Sequence, residues 1–376
     1  MSRRRLSDMS RSPQLSEAET RRRLREACRI VLPGFRTGPP AETFEAMARW
    51  CGDHDVRHDL YGEGAVVANF EARIAELLGM PAAVVMPSGT LAQMIAVRIW
   101  TERRGLSRFG AHPTSHLFLH EREGYQALFG LHGVPVGARH LPLIARDVES
   151  LAQPLACLLV EIPAREIGGQ APDWNSLLAL KAAARARSLP LHLDGARLWE
   201  CRAFYDRPHA EIVAGFESVY VSLYKGLGGL SGAVLAGEAE FIAEARLWQR
   251  RMGGNLVTQT ATVVSTALLF EARLSALDAC YARARGLAQA LVATPGLKVN
   301  PAVPQANMLH IFFESPAEDV ARRRDAIAAR EHIWVVNDPR PTDVPGWSVS
   351  EVYVGDTLRD LDEASIVDMF ARLLQD

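Results

Sequence analysis

Apolar residues at Phe70, Ile74, Leu77 and Leu78, followed by Gly79, have the spacing of a helix that stops at a glycine. The short apolar run Ala82–Met86 then predicts a strand, and Pro87-Ser88-Gly89-Thr90 turns it into a second helix carrying Leu91, Met94, Ile95 and Ile99. Further strand-like runs lie at Leu155–Val160, Leu191–Leu193, Val219–Leu223 and Ala233–Ala236, with a helical stretch over Asn175–Ser188. Short, nearly continuous apolar strands separated by helices imply an α/β fold whose mostly parallel sheet is covered on both faces. Helical patterns follow at Glu238–Met252 and, as two in succession, within Val257–Thr294. The period then changes. Leu297–Val303, Met308–Phe313, His332–Val336 and Val349–Val354 read as strands, and Ala317–Ala329 and Leu361–Leu374 as helices. That predicts a small α+β domain over 296–376, after a turn at Thr294-Pro295-Gly296, and a large domain over 56–295. Residues 28–55 are expected near the cleft and the small domain.

Composition narrows the class. The chain has 376 residues, 48% of them apolar and 23% charged, enough for a large buried core. A formal charge of -2 gives no reason to expect a nucleic-acid partner. The cysteines, Cys28, Cys51, Cys157, Cys201 and Cys280, are odd in number and dispersed, which argues against a disulfide framework or a zinc site. Such usage suits a reducing, cytoplasmic setting. No apolar run reaches the ~20 residues of a membrane span. Residues 1–27 carry eight arginines among serines without an apolar stretch behind them, the pattern of a flexible basic tail leading into a solvated helix rather than a secretory signal. Asp8, Glu17, Glu19 and Glu26 count against an organelle transit peptide.

Candidate chemistry gathers at the ends of the predicted strands. Asp194 closes the run Leu191-His192-Leu193-Asp194-Gly195-Ala196-Arg197, and Lys225 follows another in Ser222-Leu223-Tyr224-Lys225-Gly226-Leu227-Gly228-Gly229. In an open α/β sheet these are ligand-binding positions. A lysine able to form a Schiff base and an acid facing a pyridinium nitrogen are what pyridoxal phosphate (PLP) chemistry requires. Taken singly, an Asp194–Arg197 ion pair and a solvated loop lysine explain each residue as well. Ser88, Gly89 and Thr90, at the start of a helix, offer outward N–H groups and hydroxyls to a phosphate, or form a plain N-cap. His116, placed at the end of a short strand, is a candidate to stack on a planar cofactor and act as an acid or base, or is a buried structural histidine. His120 is a weaker second candidate.

These segments, in this order, resemble the threonine aldolases of the β-eliminating lyase family, from about Tyr61-Gly62 to Leu374. The resemblance rests on Leu193-Asp194-Gly195-Ala196-Arg197, Lys225-Gly226-Leu227-Gly228, Pro87-Ser88-Gly89-Thr90, Ser115-His116 with Glu121, and Asn307-Met308-Leu309. It implies the aminotransferase-like fold type I, with PLP held by Lys225, its ring nitrogen by Asp194 and its phosphate by Ser88, Gly89 and Thr90. It further implies that His116 stacks on the ring and that Ser222 lies among the cofactor contacts. Arg197 would sit beside the ring oxygen or the substrate carboxylate. Tyr61 would reach a neighbouring subunit's site, so a homodimer or homotetramer with shared active sites is expected. The implied reaction cleaves a β-hydroxy-α-amino acid to glycine and an aldehyde.

The departures fall on substrate contacts. The segment Ile162-Pro163-Ala164-Arg165-Glu166 lacks the family's second histidine, and Glu351 stands near the position where the family offers an arginine to the substrate carboxylate. Leu32–Thr37 and Asn255–Thr258 also differ from the family pattern. Arg36 or Arg165 would then have to supply the missing positive charge. Two other outcomes stay open: PLP-dependent elimination, dehydration or racemisation, and a catalytically silent PLP-fold protein that binds or regulates. A dinucleotide-binding protein is disfavoured, since no Gly-x-Gly-x-x-Gly follows the first strand.

Overall fold

The structure, a computed structural model, describes residues 16–375. Its strands in chain order are β1 (Ile30–Val31), β2 (Ala82–Met86), β3 (Arg108–Ala111), β4 (His132–Pro135), β5 (Leu158–Glu161), β6 (Leu191–Gly195), β7 (Ser218–Ser222), β8 (Ala233–Gly237), β9 (Leu297–Asn300), β10 (Met308–Phe313), β11 (Ile333–Trp334), β12 (Arg340–Pro341) and β13 (Ser348–Tyr353). Seven form one sheet in the order β2-β8-β7-β6-β5-β3-β4. Only β8 runs antiparallel to its neighbours in that sheet, so the α/β fold with a mostly parallel sheet is as the sequence indicated.

Period-2 alternation makes this sheet two-sided. Val85, Leu158, Val160 and Leu193 face one apolar core with the Ala65–Leu78 helix. Val84, Met86, Cys157 and Leu159 face the other, with Met94, Ile95 and Ile99 of the Gly89–Arg104 helix. Each strand therefore buries both faces, as a sheet covered by helices on both sides must. The Ala65–Leu78 helix ends where Gly79 takes a left-handed conformation at φ 63°, which costs a glycine little.

A second, four-stranded antiparallel sheet, β12-β13-β10-β9, packs Leu309, Ile311, Phe313 and Val352 into a third core. The Phe270–Val292 helix serves two cores: Leu277 belongs to the first, while Ala284, Leu287 and Leu291 belong to the third. The N-terminal segment joins this end of the molecule. β1 pairs in parallel with β11, and Leu32 is buried in the third core. His332–Val336 thus yields only a two-residue strand, which pairs with β1 rather than entering the four-stranded sheet. Of the arginine-rich tail, residues 1–15 lie outside the described residues. Glu17–Glu26 forms a helix capped by Ser16, and Arg21 reaches Asp325 at 3.3 Å.

Candidate active site

The carboxyl ends of the parallel strands converge on one cavity of about 250 Å³. Its lining includes Ser88, Gly89, Thr90, His116, Asp194, Arg197 and Lys225. These seven positions come from four separate stretches of chain, and the sheet topology brings them together. Ser222, at the end of β7, is buried beside them in sequence, and its Oγ has no hydrogen-bond partner.

Asp194 is the fourth residue of β6 and is almost wholly buried. It does not pair with Arg197. Gln93 Nε2 donates to its Oδ2, and the Ala196 backbone N–H donates to Oδ1 at 3.1 Å. Both bonds hold the carboxylate in place. Glu161 lies beside it, since Glu161 and Asp194 are register partners on β5 and β6. Burial, and then the charge of Asp194, pushes the Glu161 carboxyl up to about 7. Its Oε1 accepts the Arg165 backbone N–H at 3.0 Å, while Oε2 is buried without a partner.

Lys225 stands on the turn after β7. Burial, and then the Arg197 charge, lowers its amine below the usual lysine range, against the pull of Asp194, Glu161 and Glu200. Beneath that turn lies Glu200. A side chain at Gly226 would place its Cβ 2.6 Å from Glu200 Oε1, so the turn approaches this carboxylate as only a glycine can. Burial pushes Glu200 up to about 7 despite Arg197, and the Tyr353 hydroxyl of β13 donates to Oε1 at 2.5 Å.

The Gly89–Arg104 helix starts at the end of β2. Ser88 is its N-cap, with Oγ accepting from the Leu91 N–H at 3.2 Å. The hydroxyl does what a cap does, and it faces the cavity as well. A Cβ at Gly89 would collide with the Tyr220 hydroxyl, so this helix start also requires glycine.

His116 opens a short helix, His116–Leu119, rather than ending a strand. Its Nδ1 lies 2.9 Å from Oε1 of the buried Glu121. With Nδ1–H donating there, Nε2 is left as the acceptor. His120, one helical turn on, keeps to the same side. Its ring lies 5.0 Å from that of His116, and its Nε2 is 3.0 Å from Glu166.

The remaining expected residues lie farther out. Arg36 borders a larger adjoining cavity of about 680 Å³, and its Nε donates to Thr357 Oγ1 at 3.3 Å. Glu351, on β13, borders the same cavity and forms an ion pair with Arg165. Tyr61 is half exposed and lines neither of these two cavities; its backbone N–H donates to Val257 O at 2.8 Å. Sequence reasoning missed Gln93, Glu161, Glu200, Tyr220 and Tyr353. Glu161 carried the same signal as Asp194, an acid ending an apolar strand. Gln93 follows Gly89 by one helical turn, on the cavity side.

The fold is that of fold type I, the class of PLP-dependent enzymes to which this chain's structural neighbours belong. Within it, the chain belongs to the beta-eliminating lyase family, which matches residues 36–313. A low-specificity L-threonine aldolase of Arabidopsis thaliana is 27% identical over 74% of this chain and 80% of its own length. A crystal structure from Listeria monocytogenes, provisionally assigned as an L-allo-threonine aldolase, superposes with a TM-score of 0.87. It is 36% identical over 94% of this chain and 98% of that one. The Leishmania major threonine aldolase, at 19% identity and a TM-score of 0.70 over 92% and 99% of the two chains, shares the fold.

Proposed function

We propose that this protein is a PLP-dependent carbon–carbon lyase that cleaves a β-hydroxy-α-amino acid to glycine and an aldehyde. The observation that carries the reading is the convergence of Lys225, Asp194 and the Ser88–Thr90 helix start on one cavity. The names of the relatives, L-threonine aldolase and L-allo-threonine aldolase, favour small β-hydroxy amino acids as substrates.

The residues fit PLP. Ser222 Oγ and Arg197 Nε are buried polar atoms without partners, as expected where a polar ligand completes the hydrogen bonding. Ser88, Gly89 and Thr90 would hold the phosphate at a helix N-terminus. Lys225, with its lowered amine, would carry the aldehyde carbon, and Asp194 would hold the proton of the ring nitrogen. When bound, PLP supplies an electron sink for the pair released at Cα. The protein's own contribution is orientation and proton handling. Gln93 and the Ala196 N–H fix Asp194. Glu121 fixes His116, so that Nε2 is the site that takes the substrate's β-hydroxyl proton. General-base assistance of this kind contributes roughly 10²–10⁴-fold.

Leu60, Tyr61, Leu230, Leu256 and Val257 are exposed, and the Tyr61–Val257 backbone bond joins two of these segments. This apolar surface supports a homo-oligomer, with Tyr61 serving a partner's site. No helix among the described residues is long and apolar enough to cross a membrane.

Product analysis tests the reaction. Incubating the PLP-loaded protein with threonine and allo-threonine should release glycine and acetaldehyde. A keto acid with ammonia would mark elimination instead, and an inverted Cα alone would mark racemisation.

A further inference from the structure

Two arginines border the Lys225 cavity, Arg165 and Arg197, and each has a buried Nε with no hydrogen-bond acceptor. Buried donors of this kind are costly unless something supplies an oxygen. Arg165 comes from the turn after β5, and its Nη1 donates to Glu166 at 2.9 Å. Its Nε forms an ion pair with Glu351 Oε2 at 2.7 Å, without the alignment of a hydrogen bond. Arg165 faces the inner cavity and Glu351 the larger outer one, so the pair forms part of the partition between them. The two arginines that border only the outer cavity are committed elsewhere. Arg36 is bound to Thr357, and Arg273 pairs with Asp356 at 3.3 Å and covers the Phe35 ring.

We propose that Arg165, together with Arg197, binds the α-carboxylate of the amino acid substrate, and that Glu351 is its internal stand-in. The proposal rests on the lyase reading above and names the recognition element of the same site. An entering carboxylate offers two oxygens to the two guanidinium groups that border the Lys225 cavity, the charge pairing of Arg–carboxylate recognition. It must displace Glu351 from Arg165. Glu351 has somewhere to turn: His310 is its register partner on β10, buried, with an Nε2 that has no hydrogen-bond partner. Glu351 thus reduces affinity for every carboxylate-bearing ligand while keeping Arg165 neutralised when the site is empty of substrate.

The test compares glycine with methylamine, the same amine without a carboxylate, by calorimetric titration of the PLP-loaded protein. Wild type should prefer glycine. In Arg165→Ala, glycine binding should weaken roughly 10- to 100-fold, the loss of a charge-assisted pair, with methylamine unchanged. Arg165→Lys should fall between the two. Glu351→Gln should bind glycine several-fold more tightly than wild type, with methylamine again unchanged. This second variant keeps the test decisive should Arg165→Ala fold poorly. An unaltered glycine-to-methylamine ratio in Arg165→Ala, or weaker glycine binding in Glu351→Gln, would overturn the proposal. A wild-type protein that takes up PLP but shows no preference for glycine would overturn it too. One that takes up no PLP would overturn the lyase reading, and this proposal with it.

Discussion

Glu161 gives the account a quantitative handle. Its carboxyl lies against that of Asp194, and one of its oxygens is buried without a donor. Raising it from an ordinary 4.5 to about 7 means that the ionised form costs the folded state on the order of 3 kcal/mol. The sign follows from proton counting. Between about pH 4.5 and pH 7 the folded chain keeps a proton on Glu161 that the unfolded chain has lost, so stability falls as pH rises through that window. Glu161→Gln keeps the shape and removes the titration. The cofactor-free variant should therefore gain on the order of 3 kcal/mol near pH 8 and under about 1 near pH 5. With an unfolding entropy of about 2.1 cal/mol/K per residue, 376 residues convert the larger gain to about 4 °C in Tm. Calorimetric melting of wild type and variant at both pH values reads this directly. A gain that is equal at the two pH values, or a loss at pH 8, would refute the claim that a buried carboxyl sits in strain beside Asp194.

Other perturbations follow the same logic. Tyr353→Phe removes the only hydrogen bond given to Glu200 by a side chain among those described, and should cost about 1–3 kcal/mol by chemical denaturation at neutral pH. An unfolding free energy unchanged within experimental error would deny that this bond couples β13 to the Lys225 turn. Gly89→Ala brings a Cβ against the Tyr220 hydroxyl; equilibrium dialysis should show PLP affinity reduced at least ~10-fold while the far-ultraviolet circular dichroism stays that of wild type. His116→Asn should lower kcat by roughly 10²–10⁴ with PLP still bound, read from aldehyde release and the cofactor's visible absorption. Full activity in that variant would move the proton-accepting role to another group.

Much of the frame was legible because the strands are continuous apolar runs whose ends carry distinctive residues. β2 and β10 coincide with the runs Ala82–Met86 and Met308–Phe313, and Asp194 and Lys225 lie where strand-end reasoning expects ligands. β3 and β4 escaped notice for the opposite reason. Arg108-Phe109-Gly110-Ala111 and His132-Gly133-Val134-Pro135 are short and mix glycine, proline and charge; β4 is the edge strand of the sheet and β3 lies next to it. The sequence around His116 reads as the end of a short strand, yet His116 opens a four-residue helix that buries Leu117. The partners of the site residues were hidden more deeply. Gln93 reaches Asp194, and Tyr353 reaches Glu200, from distant parts of the chain, and no local pattern encodes such meetings. Glu351 could be read as an inverted charge, but only the fold reveals that Arg165 stands against it.

The central claim is that the Lys225 amine carries PLP in this cavity. Borohydride treatment of the PLP-loaded protein fixes the cofactor covalently to the amine that holds it, and peptide mass spectrometry then locates it. The account predicts a pyridoxyl-phosphate mass on the peptide containing Lys225, and its loss in Lys225→Ala. A label confined to other lysines, or no label at all in the wild-type protein, would contradict it.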